Sequence, residues 1–373
     1  MESIVLPNGL ETIGNRAFRG CNFTSITFPG SLKYIGSEVF YSNDLASVTF
    51  AKGGGGLKIG EKAFYHLWSL KSVVFNEGVE SIGEYAFYGC GLETIVLPEG
   101  LKSIGEYAFY SCSNLSSVIL PNTLEYIGAC AFFYTEWAES QVADDDGILY
   151  YGNVAMKCTD KSESGVAIKF KDGTLGVADY FGSGTTITSV EFPSSMRHIG
   201  SYAFSGQGIT SLVLNDGLEV IERDAFAKCN SLTNVVIPES VKRMIYPFTD
   251  CDGIVLMTIN AKNLSEDSRL RVVNLTKLTI GSEVQVLPDN FVDASNSLRV
   301  IFEDRSPESS LYIGTTSLPY SNMTSLKLPN CRIALGKEAL KDVKFQFEIP
   351  GVITEIGTTR SEERFSRNAE TDL

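Results

Sequence analysis

"IGEYAFYGC" occupies Ile82–Cys90, and "IGEYAFYSC" occupies Ile104–Cys112, twenty-two residues later with one position changed. A catalytic site is rarely written twice in one chain, so the string reads as architecture. Its six-residue core recurs at Ile13, Ile35, Ile59, Ile82, Ile104 and Ile127, in steps of 22, 24, 23, 22 and 23 residues. After a gap of 72 it returns as IGSYAF at Ile199, and 22 residues later as IERDAF at Ile221. Weaker copies lie at Val177, Ile245, Val286, Ile313 and Leu335, and before Gly357. A fixed period of this length is the signature of a solenoid, and it overrides the two or three globular domains that 373 residues would otherwise suggest.

Each full copy reads close to L-x-S-V-x-L-P-x-x-L-x-x-I-G-x-x-A-F-x-x-C. Leu115–Pro121 alternates, uses β-branched residues and ends in proline, which is a short strand closed by a breaker. Leu124 and Ile127, followed by Gly128, give a second short extended piece and a tight turn. "EYAF" has the composition of one helical or 3₁₀ turn with Ala and Phe inward. A single coil of this size cannot bury its own Leu, Ile and Phe, whereas stacked coils can. The sequence therefore predicts a repeat solenoid of roughly fourteen coils of 22–24 residues. A parallel β-sheet lines one face, with turns and 3₁₀ or helical turns on the other. The array spans 1–357 as one solenoid, with an irregular insertion at about 140–176, divergent repeats at 252–357 and a polar tail at 358–373.

This pattern resembles the BspA-type leucine-rich repeats, most strongly through 1–135 and 186–250. The resemblance implies a leucine-rich repeat fold. It also implies an extracellular or cell-surface, adhesin-like array that binds a protein or glycan on a host, a matrix or another cell. The opening "MESIVLPNGLETIG" has no basic and apolar signal sequence and reads as the interior of a repeat, so the chain reads as a fragment. No run of about 18 apolar residues is present, so no membrane insertion is expected. The net charge of −14 repels nucleic acid and anionic membrane.

Nothing in the pattern singles out catalysis. His66 and His198 are the only histidines, and both sit inside ordinary repeats. No nucleophile elbow, zinc-protease or dinucleotide fingerprint occurs. Asp144, Asp145 and Asp146 lack the alternating ligands of a calcium loop and read as a solvated turn. Gly53–Gly56 lacks the Lys-Ser/Thr of a phosphate loop and reads as a loose turn. "GILYY" with "GNVAMKC" reads as a β-hairpin or an irregular outgrowth. No enzyme activity, cofactor or metal is expected. Cys21, Cys90, Cys112, Cys229 and Cys251 each lie three residues after a repeat phenylalanine, so they occupy one buried slot. Free thiols are expected there, although the adjacent-coil pairs Cys90/Cys112 and Cys229/Cys251 are spaced to permit a disulfide.

Binding is expected on the outward strand positions, which alternation identifies. They are Ser3/Val5, Ser25/Thr27, Ser47/Thr49, Ser72/Val74, Thr94/Val96, Ser117/Ile119, Ser211/Val213 and Asn234/Val236. The candidate binding face is Ser72, Val74, Thr94, Val96, Ser117, Ile119, Ser211, Val213 and Val236. β-propensity alone would also favour these residue types. Two interruptions of the face are expected as cross-strand ion pairs, Lys169 with Glu191 and Lys327 with Glu348. The function that follows is a non-catalytic interaction module. The alternative is a stiff structural spacer within a longer surface protein.

Overall fold

A computed structural model describes residues 4–160, 165–293, 298–318, 323–339 and 352–358. The chain divides into two compact units, Met1–Lys161 with Gly173–Thr185 and His198–Ala203, and Ser162–Asp172 with Thr186–Arg197 and Phe204–Leu373. Each is a parallel β-solenoid. The expected polar tail lies outside the described residues, apart from Thr358.

In the first unit the isoleucines of the repeat lie in register. Ile13, Ile35, Ile59, Ile82, Ile104 and Ile127 pair in sequence along one parallel ladder. A second ladder joins Ser25–Phe28, Ser47–Phe50 and Ser72–Val74. Thr94–Val96 and Ser117–Ile119 form a separate pair. The glycine after each isoleucine is required by the closeness of the coils. A Cβ on Gly105 would stand 2.6 Å from Glu84 N, and one on Gly83 2.8 Å from Ile59 O. Gly14, on the first coil, has nothing within 4 Å.

Between the ladders lies a column of phenylalanines. Phe40, Phe64, Phe87, Phe109 and Phe132 stack with centroids 4.9–5.3 Å apart and nearly parallel rings. In the second unit Phe204, Phe226 and Phe248 do the same at 5.2 and 5.5 Å. Such pairs are each worth about 0.5–1.5 kcal/mol beyond the area they bury.

The "EYAFYGC" half is a run of separate turns. Ala86 N, Tyr88 N and Cys90 N each bond back three residues, to Gly83 O, Tyr85 O and Phe87 O. The intervening donors, Tyr85 N, Phe87 N and Gly89 N, bond forward to the next coil at Glu106 O, Ala108 O and Tyr110 O. Tyr85 and Gly89 have φ of 55° and 65°, and the same two places are left-handed in coil after coil: Lys62 and His66, Tyr107 and Ser111, Cys130 and Tyr134. The left-handed residues tip alternate N–H groups towards the following coil, so no helix propagates.

The cysteine slot is explained by a carbonyl. Cys90 Sγ donates to Phe64 O and Cys112 Sγ to Phe87 O, both at 3.1 Å. In the second unit Cys229 donates to Phe204 O and Cys251 to Phe226 O. Asn43 takes the same slot and the same job, its Nδ2 donating to Phe18 O at 2.8 Å. All eight cysteines are free thiols. Burial pushes Cys112 and Cys251 up to about 12 and Cys229 up to about 11.

The insertion contains the expected hairpin. Ile148–Tyr151 pairs antiparallel with Val154–Cys158, and the latter joins Gly176–Val177 in parallel. A one-turn helix, Glu136–Glu139, precedes it, with the Thr135 hydroxyl accepting from Ala138 N. Trp137 packs between Phe132 and Tyr151. The Asp144 carboxylate accepts from Asp146 N and Ile148 N, as a turn does.

In the second unit, Val166–Lys169 pairs with Ile187–Glu191, and Lys169 Nζ lies 3.3 Å from Glu191. Asn234–Ile237, Leu256–Ile259, Lys277–Ile280, Leu298–Phe302 and Met323–Lys327 form a five-stranded parallel ladder. The strand side thus runs on through the divergent repeats. Lys327 Nζ lies 3.9 Å from Asp304 Oδ1, while Glu348, its expected partner, lies outside the described residues.

Candidate interaction surfaces

In the first unit the outward positions from Ser25 to Ile119 fall where alternation put them, with Ser47 and Thr49 half-buried; Val5 lies outside any strand and Ser3 outside the described residues. In the first unit Val73 and Ile95 are buried, while Ser72, Thr94 and Ser117 are exposed. Val74, Val96 and Ile119 are 46%, 57% and 57% exposed. Ser117 stands opposite Thr94 and Ile119 opposite Val96. Val74 stands apart, because the ladder divides between Ser72–Val74 and Thr94–Val96. The inward members Val118 and Leu120 are half-buried rather than sealed.

In the second unit Ser211 and Val213 belong to a segment that forms no strand. Ile209–Asn215 carries no ladder pairing, although Leu212 and Leu214 are buried and Val213 is 75% exposed. A groove of about 1070 Å³ opens over this segment and the adjoining Asn234 and Val236. It therefore gathers three of the nine candidate residues: Ser211, Val213 and Val236.

A third surface was not read from the sequence. On the turn side of the first unit, Tyr65, Tyr88 and Tyr110 stack at 5.1 and 5.0 Å, and Tyr85 stacks on Tyr107 at 4.9 Å. His66 sits against Tyr65, Tyr88 and Trp68, and burial lowers its pKa. Trp68 is 72% exposed. Tyr65 and Tyr110 are raised, in each case first by burial. The available signal was the second aromatic of "YAFY", which repeats in register with the first.

Perturbed carboxyls gather where the first unit closes over its insertion. Asp179 is buried; its Oδ2 accepts from Tyr126 OH at 2.7 Å and Ala129 N at 3.0 Å, and its Oδ1 from Ser201 N at 2.6 Å. Burial holds its pKa above the usual range despite these donors. Glu106 is raised by burial and then by the charge of Asp179. The geometry is that of a brace. Asn15 Oδ1 accepts from Ser37 N in the same way, and in the second unit Asp289 Oδ1 accepts from Thr315 N. His198 stacks on Tyr126 at 4.4 Å. Among the described residues no group of three or more His, Cys, Asp or Glu is placed to hold a metal ion. No helix there is long and apolar enough to cross a membrane.

The match to a protein family agrees with this architecture. The model of the BspA type leucine rich repeat region matches in six copies, over residues 1–54, 55–152 and 176–299. No curated protein matches the chain. Among solved structures, the chain is similar to a leucine rich cell surface protein from Faecalibacterium prausnitzii, at 22% identity over 79% of this chain and 83% of that one, with a TM-score of 0.33. It is similar to a leucine-rich repeat protein from Bacteroides ovatus at 23% identity, covering 79% and 78%, with a TM-score of 0.36. It is also similar to the pneumococcal vaccine antigen PcpA at 21% identity, covering 94% and 92%, with a TM-score of 0.35.

Proposed function

The chain belongs to the BspA-type leucine-rich repeat family, and from that premise we propose that it is a non-catalytic recognition module, secreted or held at the cell surface, that binds a protein partner on its outward strand face. The observation that carries the proposal is the exposed apolar strip of Val74, Val96 and Ile119. Val74 and Val96 stand beside inward residues, Val73 and Ile95, that are packed in the core, while Val118 beside Ile119 is half-buried. Polar Ser72, Thr94 and Ser117 flank it, giving an apolar centre with a hydrogen-bonding border. The strip carries no charge although the chain stands at −14. A glycan is the second reading, favoured by Trp68, whose exposed ring beside His66 could carry a sugar face.

A binding screen of the intact chain against matrix and host-surface proteins, repeated with Val96→Lys, tests the proposal. The variant is expected to fold normally and to lose at least about tenfold in affinity for a partner that uses the strip. Undiminished binding of every partner found would move the site off this face.

A further inference from the structure

The second unit contains a gap in an otherwise continuous device. In a regular coil the residue entering the strand donates its N–H to the coil before: Val255 N to Thr233 O, Thr276 N to Val255 O, Arg299 N to Thr276 O. Among the described residues, no backbone hydrogen bond joins Thr210–Leu214 to either neighbour. Ile187–Glu191 pairs only with Val166–Lys169 on its far side, and Asn234–Ile237 only with Leu256–Ile259. In this coil Gln207 stands in the cysteine slot, and its Oε1 accepts the Ile187 N–H at 2.7 Å, so a side chain takes that donor of the preceding coil.

Backbone without ladder partners beside solvent can serve as a template for another strand. Here it lies within the 1070 Å³ groove, with Thr210, Ser211 and Val213 exposed. The charged residues lining that groove are Asp216, Glu239, Glu283 and Glu303 against a single Lys262. None of Asp216, Glu239 and Glu283 is engaged in an ion pair among the described residues. The exposed apolar side chains in the groove, Val213 and Val236, would meet alternate residues of an extended chain, leaving the others to reach the acids.

We propose that Thr210–Leu214 and its groove accept an extended, lysine- or arginine-rich segment of a partner protein as an added strand. Main-chain bonds to the unpaired edge hold the segment, and the acidic lining selects its charge. The proposal is independent of the Val96 strip, which lies in the other unit.

The test is fluorescence anisotropy of the whole chain with a labelled peptide of about ten residues alternating lysine and valine, the length of a strand that fills such an edge. The comparison peptide is methylated on alternate backbone nitrogens, which keeps its charge and removes its donors. The plain peptide is expected to bind saturably, and the methylated one at least about tenfold more weakly. Glu239→Lys combined with Glu283→Lys should weaken the plain peptide by a similar factor, while Val96→Lys should leave it unchanged. Amide exchange at Ser211 and Val213 should slow on binding. Equal affinity of the two peptides, or no change in exchange at those amides, would reduce the effect to diffuse charge attraction and overturn the added strand. Failure of the plain peptide to bind would overturn it outright.

Discussion

Replacing Gly105 with alanine should destabilise the first unit, whereas the same change at Gly14 should not. Both glycines follow the repeat isoleucine, and neither backbone is left-handed, so alanine is conformationally allowed at each. A Cβ at Gly105 would lie 2.6 Å from Glu84 N and 2.7 Å from Gly83 C, where ordinary contact begins at 3.4 Å. The two coils must therefore part locally by about 0.8 Å, the difference between those distances. That movement stretches Gly105 N–Ile82 O, now 2.8 Å, and Tyr85 N–Glu106 O, now 2.9 Å. Overpacking of this kind costs about 1–3 kcal/mol, and weakening two hydrogen bonds adds about 1 kcal/mol. The stiffer unfolded chain returns about 0.4–1 kcal/mol. Gly105→Ala should lose about 1–4 kcal/mol on balance, and Gly14→Ala, with an open neighbourhood, should be neutral or gain up to about 1 kcal/mol. Urea titration followed by circular dichroism measures both. Stacked coils can open piecemeal, so amide exchange at Ile82 and Ile104 should be followed as well. Equal stability of the two variants would refute the claim that coil spacing dictates the glycine.

Two further perturbations test the interior. Cys112 should resist iodoacetamide in the native protein at pH 8, since burial pushes its thiol up to about 12, and should react once urea is added. Cys112→Ala should cost about 1 kcal/mol by removing one of the two donors to Phe87 O, which keeps Cys90 N; native alkylation at Cys112 as fast as at half-buried Cys21 would contradict the slot's burial. Asp179→Ala should cost about 2–4 kcal/mol, because Tyr126 OH, Ala129 N and Ser201 N lose their acceptor together. The Asp179 and Glu106 carboxyls are both raised on folding, so their protonated forms favour the folded state. That contribution is complete below the unfolded pKa near 4 and disappears as pH rises through the raised values. As pH falls from 7 towards the unfolded pKa near 4, the urea midpoint of the wild type should therefore gain relative to Glu106→Gln; a relative loss on acidification would reverse the sign assigned to this pair.

The periodic part of the fold was legible because its cause is itself periodic. Ile82 and Ile104, Phe87 and Phe109, and Cys90 and Cys112 repeat since each must pack on its own copy one coil away. The outward positions were legible for the simpler reason that strand side chains alternate. Features that depend on backbone torsion or on a single exchange were not. Tyr85 and Tyr107 adopt left-handed φ, which their residue type disfavours, and the stacking of their rings became visible only with the coils in place. Ser211 and Val213 match the outward pattern as well as Thr94 and Val96 do, yet their strand is absent, in a coil whose cysteine slot holds Gln207 bonded to Ile187 N. Asp179 falls after a 50-residue departure from the period, where nothing in the spacing shows which coil it meets.

The turns of the first unit also give the array a direction. Tyr85, Phe87 and Gly89 send their N–H groups only to the following coil, and the carbonyls of Glu84, Ala86 and Tyr88 receive only from the coil before. Peptide dipoles on that side consequently add head to tail, as they do in a helix. A cut between two such coils would leave a row of donors on one fragment and a row of acceptors on the other. Two like faces could not satisfy each other, whereas unlike faces could. Fragments ending in bare coils should therefore associate by head-to-tail polymerisation rather than by symmetric pairing, a one-way growth that adds without closing.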